Sequence, residues 1–209
     1  MKQFRIFLIS IQLLIAVFLL SNTIFGQTTD LQLNQPLERQ IKGGETQNFQ
    51  INLKAGQYAH VEVIQKTINV TVSVFAPDGK LIIEMDGKNG SFWRRTSSPS
   101  YNFVSCIAEK DGIYRVEIKG FKRVEDSGSY SVKLAENRQA TVNDQKRIEA
   151  ETHLFSARKF IQQGGIETVK AVKEYETAIV LWHELNDVVA EAVTLNNLGL
   201  VQYAYFAPS

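Results

Sequence analysis

Cys106 and three histidines, His60, His153 and His183, are the side chains of this 209-residue chain best suited to nucleophilic or metal chemistry. A cysteine nucleophile needs a base beside it and a setting that favours the thiolate. Cys106 instead stands in Val104-Ser105-Cys106-Ile107-Ala108, an apolar strand-like run, where a free cysteine packs as a small hydrophobe. A lone cysteine also excludes an intramolecular disulfide and any multi-cysteine zinc site. His60 alternates away from the apolar side of its run, so it is expected in solvent. His153 and His183 fall on different helical stretches with no matching carboxylate pair, so no metal centre is expected. Asp78, Asp86, Asp111 and Asp126 sit in turn sequences. They could offer oxygen ligands to calcium, but turn propensity alone accounts for each, and no dense Asp-x-Asp spacing occurs. The chain is therefore expected to be non-catalytic and to carry no cofactor.

Recognition residues are easier to find than catalytic ones. Phe92-Trp93-Arg94-Arg95 lie in a turn-rich stretch, 86–100, with Tyr101 and Phe103 close behind. Aromatic and arginine side chains on a loop are common anchors for protein, peptide or sugar. Phe92 and Trp93 could equally cap the open end of a β-sandwich. With 23 Lys+Arg against 22 Asp+Glu, the chain lacks the strong basic excess of a nucleic-acid binder.

Three regions must position these residues. Lys2 and Arg5 precede a run from Ile6 to Leu20 that only Ser10 and Gln12 interrupt, followed by a mildly polar stretch ending in Gly26-Gln27. This is the layout of a secretory signal peptide over 1–26, placing the rest outside the cytoplasm, periplasmic or extracellular. The alternative is an uncleaved anchor, the one route to the membrane.

Residues 30–137 alternate with period two. Glu45–Leu53, Tyr58–Ile64, Val70–Phe75, Lys80–Met85, Tyr101–Ala108, Ile113–Ile118 and Ser129–Leu134 read as strands, and Pro77-Asp78-Gly79 reads as a hairpin turn. Seven or eight short strands imply an antiparallel β-sandwich, jelly-roll-like.

Residues 141–206 switch to helical period. Ala150, Leu154, Ala157 and Ile161 make one stripe. Ala171, Tyr175, Ala178 and Trp182 make a second. Val188, Ala192, Leu195 and Gly199 make a third. Gly164-Gly165 and Asn186-Asp187 separate them. On the third helix, Ala192, Leu195 and Gly199 are expected inward. Leu198, Val201 and Tyr205 are then left to meet a partner helix. The chain reads as multidomain, all-β followed by all-α.

The Ala171, Tyr175, Ala178 spacing resembles the second helix of a tetratricopeptide repeat, and Leu195-Asn196-Asn197-Leu198-Gly199-Leu200-Val201 resembles the first helix of the next. Gln202 stands where that helix would carry its second aromatic. The spacing fits a repeat of about 40 residues better than one of about 34. Together with Leu53-Lys54-Ala55-Gly56-Gln57-Tyr58, Phe75-Ala76-Pro77-Asp78-Gly79-Lys80 and Gly112-Ile113-Tyr114-Arg115-Val116-Glu117, the whole is similar to the N-terminal part of exported bacterial proteins. In those proteins a pre-peptidase C-terminal-like sandwich and tetratricopeptide repeats precede a caspase-like CHAT peptidase domain. The resemblance implies a partner that is either another protein or further repeats and a peptidase, and it transfers no catalytic residue. It leaves three roles open: a protein-binding module, the front end of such a peptidase, or a module binding carbohydrate or surface polymer.

Charged residues placed at Leu14 and Val17 should block export by breaking the apolar run. Cell fractionation reads the outcome, and unaltered full-length protein found free in the cytoplasm would defeat the signal reading.

Overall fold

The computed structural model describes residues 28–85, 100–121 and 127–206, with Ser100 and Tyr101 as backbone only. The leader 1–26 and the aromatic–arginine loop Phe92–Arg95 lie outside the described residues. The strands are β1 (Thr29–Asp30), β2 (Leu37–Lys42), β3 (Thr46–Leu53), β4 (Gln57–Gln65), β5 (Val70–Phe75), β6 (Leu81–Met85), β7 (Ser100–Ile107), β8 (Gly112–Gly120) and β9 (Ser127–Gln139). Helices α1 (Val142–Gln163), α2 (Glu167–Glu184) and α3 (Val188–Phe206) follow.

Two sheets form the sandwich, one ordered β1-β3-β8-β5-β6 and the other β2-β9-β4-β7. Pairing is antiparallel except for the two-residue β1, which runs parallel to β3 and is too short to leave a period in the sequence. Alternation sets the core. Phe49, Val116, Val74 and Ile83 line up across β3, β8, β5 and β6 on the inner side of the first sheet. Val61, Val63, Val104, Val132 and Leu134 face them from the second sheet and are buried in the same cluster. The β5–β6 turn closes at Pro77-Asp78-Gly79, where Gly79 has φ +84, a conformation that only glycine adopts cheaply. Ala76 N donates to Lys80 O across it at 2.8 Å.

β9 passes almost directly into α1. Asp144, in the first turn of α1, accepts from the backbone N–H of Thr141 at 2.6 Å and from both terminal nitrogens of Arg138 at 2.6 and 2.8 Å. One carboxylate thus caps the helix and ties it to the end of the strand. The three helices pack as consecutive antiparallel neighbours around Leu154, Ala157, Ala171, Tyr175, Leu198 and Val201.

The face of α3 is the reverse of the sequence expectation. Leu198 and Val201 are buried against α1 and α2, whereas Leu195 is 48% exposed and Ala192 and Gly199 are also in solvent. Tyr205 is exposed, as expected. Apolar residues fall on more than one face of the helix, so periodicity does not choose between them. The neighbour α2, with Ala171 and Tyr175, chooses.

Val116 is fully buried at the centre of the core. Val116→Asp should unfold the chain, since an unpaired carboxylate there costs several kcal/mol. Loss of the cooperative thermal transition, followed by circular dichroism, is the expected result.

Candidate binding site

The helices do not stand apart from the sandwich. Helix α1 lies against the outer face of β7, at the edge of the β2-β9-β4-β7 sheet, and the contact is built from side chains that alternate away from the core. Tyr58 and His60 of β4, with Phe103 and Ser105 of β7, point toward α1 and α2. Phe103 and Trp182 meet edge to face with ring centroids 6.0 Å apart, and Trp182 is fully buried. Arg147 lies over the same indole at 5.5 Å and pairs with Asp187 at 2.7 Å. Arg138 lies over the Tyr58 ring at 4.8 Å.

At the centre of this seam sits Glu151, on α1 and fully buried. Its carboxylate accepts the backbone N–H of Ser105 at 2.8 Å and the Ser105 hydroxyl at 2.7 Å. β7 is an edge strand, and Ser105 presents its N–H away from β4, so Glu151 satisfies a group the sheet leaves unpaired. Ser105 Oγ also lies 2.9 Å from the Tyr58 hydroxyl and 2.8 Å from His60 Nδ1. Burial, as the main cause, pushes the Glu151 carboxyl up to about 7, against the pull of the two Ser105 bonds. Burial likewise pushes His60 down to about 4, with Arg147 adding to the shift.

His60 is therefore not in solvent, as its strand period implied; it is 9% exposed. Alternation reports which side of a sheet a residue is on, not whether another layer covers that side. His153 and His183 lie on different helices, and each has a single carboxylate neighbour. His153 Nδ1 is 2.6 Å from Glu174, and His183 Nδ1 is 3.4 Å from Glu191. Those carboxylates come from the next helix, which the spacing within one helix does not reveal. Among the described residues no group of three or more His, Cys, Asp or Glu is placed to hold a metal. Asp111 accepts from Ala55 N at 2.8 Å and Asp78 from Lys80 N at 3.1 Å, so both serve their turns.

Serine, histidine and a carboxylate are the components of a hydrolytic triad, but the order is wrong for one. A triad places the histidine between the serine and the carboxylate. Here the serine is the hub, 1% exposed, and no substrate carbonyl reaches it. Cys106, next in the strand, is buried in the sandwich core, and burial pushes its thiol up to about 12. Its packing is that of a hydrophobe, as its apolar run suggested.

Beside the seam, a cleft of about 630 Å³ runs between α1 and the stacked edges of β6 and β7, with Ile83, Glu84, Ile107, Phe155 and Arg158 among its walls. A solvent-facing apolar stripe lies on α3. Leu195, Tyr203 and Phe206 are 48, 72 and 52% exposed, and Ala192 and Gly199 belong to the same stripe at helical spacing. Of the sequence candidates, the structure brings Leu198 and Val201 together inside the helical core and leaves Tyr205 outside it. The exposed stripe uses the residues that the sequence had assigned inward.

No protein-family model matches the chain, and no curated protein matches it. Solved structures share a distant likeness. A periplasmic inhibitor of g-type lysozyme from Aeromonas hydrophila is 19% identical, with a TM-score of 0.39, over 50% of this chain and 91% of that one. The pre-peptidase C-terminal domain of a Bacillus anthracis collagenase is 14% identical, with a TM-score of 0.38, over 52% and 94%. The corresponding lysozyme inhibitor of Salmonella Typhimurium is 17% identical, with a TM-score of 0.36, over 55% and 98%. A likeness this remote says nothing of what this chain binds.

Ser105→Ala removes the hub and leaves Glu151, His60 and Tyr58 without their shared partner. We expect a loss of about 3 kcal/mol, from more than one buried polar group left unpaired. A urea unfolding midpoint unchanged from the parent would show that the cluster contributes nothing to the seam.

Proposed function

We propose that this chain is an exported, non-catalytic protein-binding module, in which the sandwich carries the helices and α3 presents its outer face to another protein surface. One observation carries the reading. From Ala192 to Phe206 the helix has no charged residue, yet the side away from α2 is open to solvent. That side carries Leu195, Tyr203 and Phe206 in one stripe, with Asn196 and Gln202 beside them, and an exposed apolar stripe of this kind marks a surface that another protein can cover. Gly199 adds to this. A Cβ there would meet nothing within 4 Å, so among the described residues no close contact calls for glycine in mid-helix. Glycine at such a position costs about 1 kcal/mol against alanine. A partner backbone approaching closely at Gly199, between Ala192, Leu195 and Tyr203, would give that cost a reason.

The finer reading is that α1–α3 open an array of the tetratricopeptide type. Ala171, Tyr175 and Ala178 are buried together on one face of α2, the placement that this resemblance implies for the second helix of a repeat. In such an array the open face of α3 takes the next helix, and the covering partner is either further repeats leading to a CHAT peptidase domain or a separate protein. Export rests on the leader sequence 1–26. Among the described residues no helix is long and apolar enough to cross a membrane.

Leu195→Lys and Tyr203→Lys should abolish self-association or partner capture by the chain without its leader. Melting should shift by no more than about 2 °C, because both side chains lie outside the internal core. Leu198→Lys, on the buried face, should instead melt the helices. Light scattering and thermal melts separate these outcomes. A parent chain that stays monomeric and captures nothing would count against the interface.

A further inference from the structure

The stripe that α3 turns to solvent is ordered about Gly199. Phe206 stands seven residues after that glycine and Ala192 seven before it. Tyr203 stands four after and Leu195 four before. All five are exposed, and both rings lie on one side of the glycine with the smaller side chains on the other.

Two copies of such a helix, packed antiparallel about a two-fold axis at Gly199, bring equally spaced positions opposite one another. The Phe206 ring then meets the methyl of Ala192, and the Tyr203 ring meets Leu195. Each contact occurs twice. At the crossing two glycines face each other, and with no Cβ on either side the backbones can approach closely. A shallow crossing of about 20°, as in helical bundles, keeps the faces together along a stripe about 21 Å long. A parallel pair would instead set ring on ring at one end and leave a gap at Ala192.

Charge does not oppose the pairing. A face that meets its own copy brings its charges against their like, so it must be nearly free of them. Glu191 is the one charged residue of α3, and it lies 3.4 Å from His183 of α2. Asn196 and Gln202 are exposed beside the stripe and give it an uncharged polar rim.

We propose, on the reading of α3 as a protein-binding face, that the protein covering it is a second copy of this chain, joined through an antiparallel α3 pair that crosses at Gly199. One helix face buries less than the about 800 Å² per partner of a usual stable interface, so the dimer dissociates in the micromolar range.

Sedimentation of the chain without its leader, in a concentration series up to about 100 μM, tests this. The parent should dimerise. Leu195→Glu and Tyr203→Lys should each raise the dissociation constant about tenfold or more, and an equal mixture of the two should recover a dimer, because the register sets the carboxylate of one copy against the ammonium of the other. Gly199→Leu should weaken the dimer too, although leucine is the better helix former. Should the charged variants fail to fold, cross-linking decides. Ala192→Cys mixed with Phe206→Cys should form a disulfide between copies under mild oxidation, and neither alone should, since like positions lie about 21 Å apart. A parent that is monomeric at about 100 μM would overturn the second copy as the occupant and leave α3 open to a different protein. A dimer indifferent to all three substitutions would lie elsewhere on the chain, and would count against α3 as an interface of any kind. Self-cross-linking of Ala192→Cys would mean a parallel pair and would also sink the proposal.

Discussion

The carboxylate of Glu151 is the constraint around which the two layers are arranged. A charge-bearing side chain with no exposure is tolerable only if its oxygens are fully used, and Ser105 uses them with its N–H and its hydroxyl. Satisfying that pair fixes the height of α1 on the sheet and its rotation. With α1 placed, Ala150 and Leu154 face inward, α2 lies beside them, and Trp182 reaches Phe103. The Arg138–Asp144 clamp sets the other end of the same joint, where β9 becomes α1. Two polar anchors, one at the start of the helix and one two turns further on, leave α1 little freedom to slide.

Such a joint is built for specificity more than for strength. Buried polar networks gain little over well-packed apolar side chains, but they penalise every misplaced register. The sandwich has its own apolar core and its own turn chemistry. What the seam adds is a single defined way for the helices to lie on it, and therefore a defined direction for α3. The face that α3 turns outward is set by α2, and α2 is set by α1 and the sheet.

The inner positions of the strands and the turns between them follow from local rules. Alternation at Phe49, Ile51 and Leu53 or at Tyr114, Val116 and Ile118 has one reading, because only one side of each run is apolar. Gly79 and Pro77 leave little choice of turn. The stripes of α1 and α2 are equally explicit, since charged residues occupy their other faces. Tyr58 and Phe103, aromatic residues on the supposedly wet side of β4 and β7, were the signal in the sequence that this side is covered.

What the sequence by itself determined is a sandwich of alternating strands followed by three helices, with the inner faces of β3, β4, β5, β8 and β9 and the stripes of the first two helices. Tertiary structure alone decided what lies on the outer faces. His60 is buried because α1 covers it, and Glu151 has partners more than forty positions away in the chain. Leu198 faces inward and Leu195 outward because α2 offers its apolar stripe to one side only. The physical reason is the range of the information. Period and turn chemistry are carried by neighbours along the chain, whereas the docking of one layer on another depends on groups that meet only after both layers have formed.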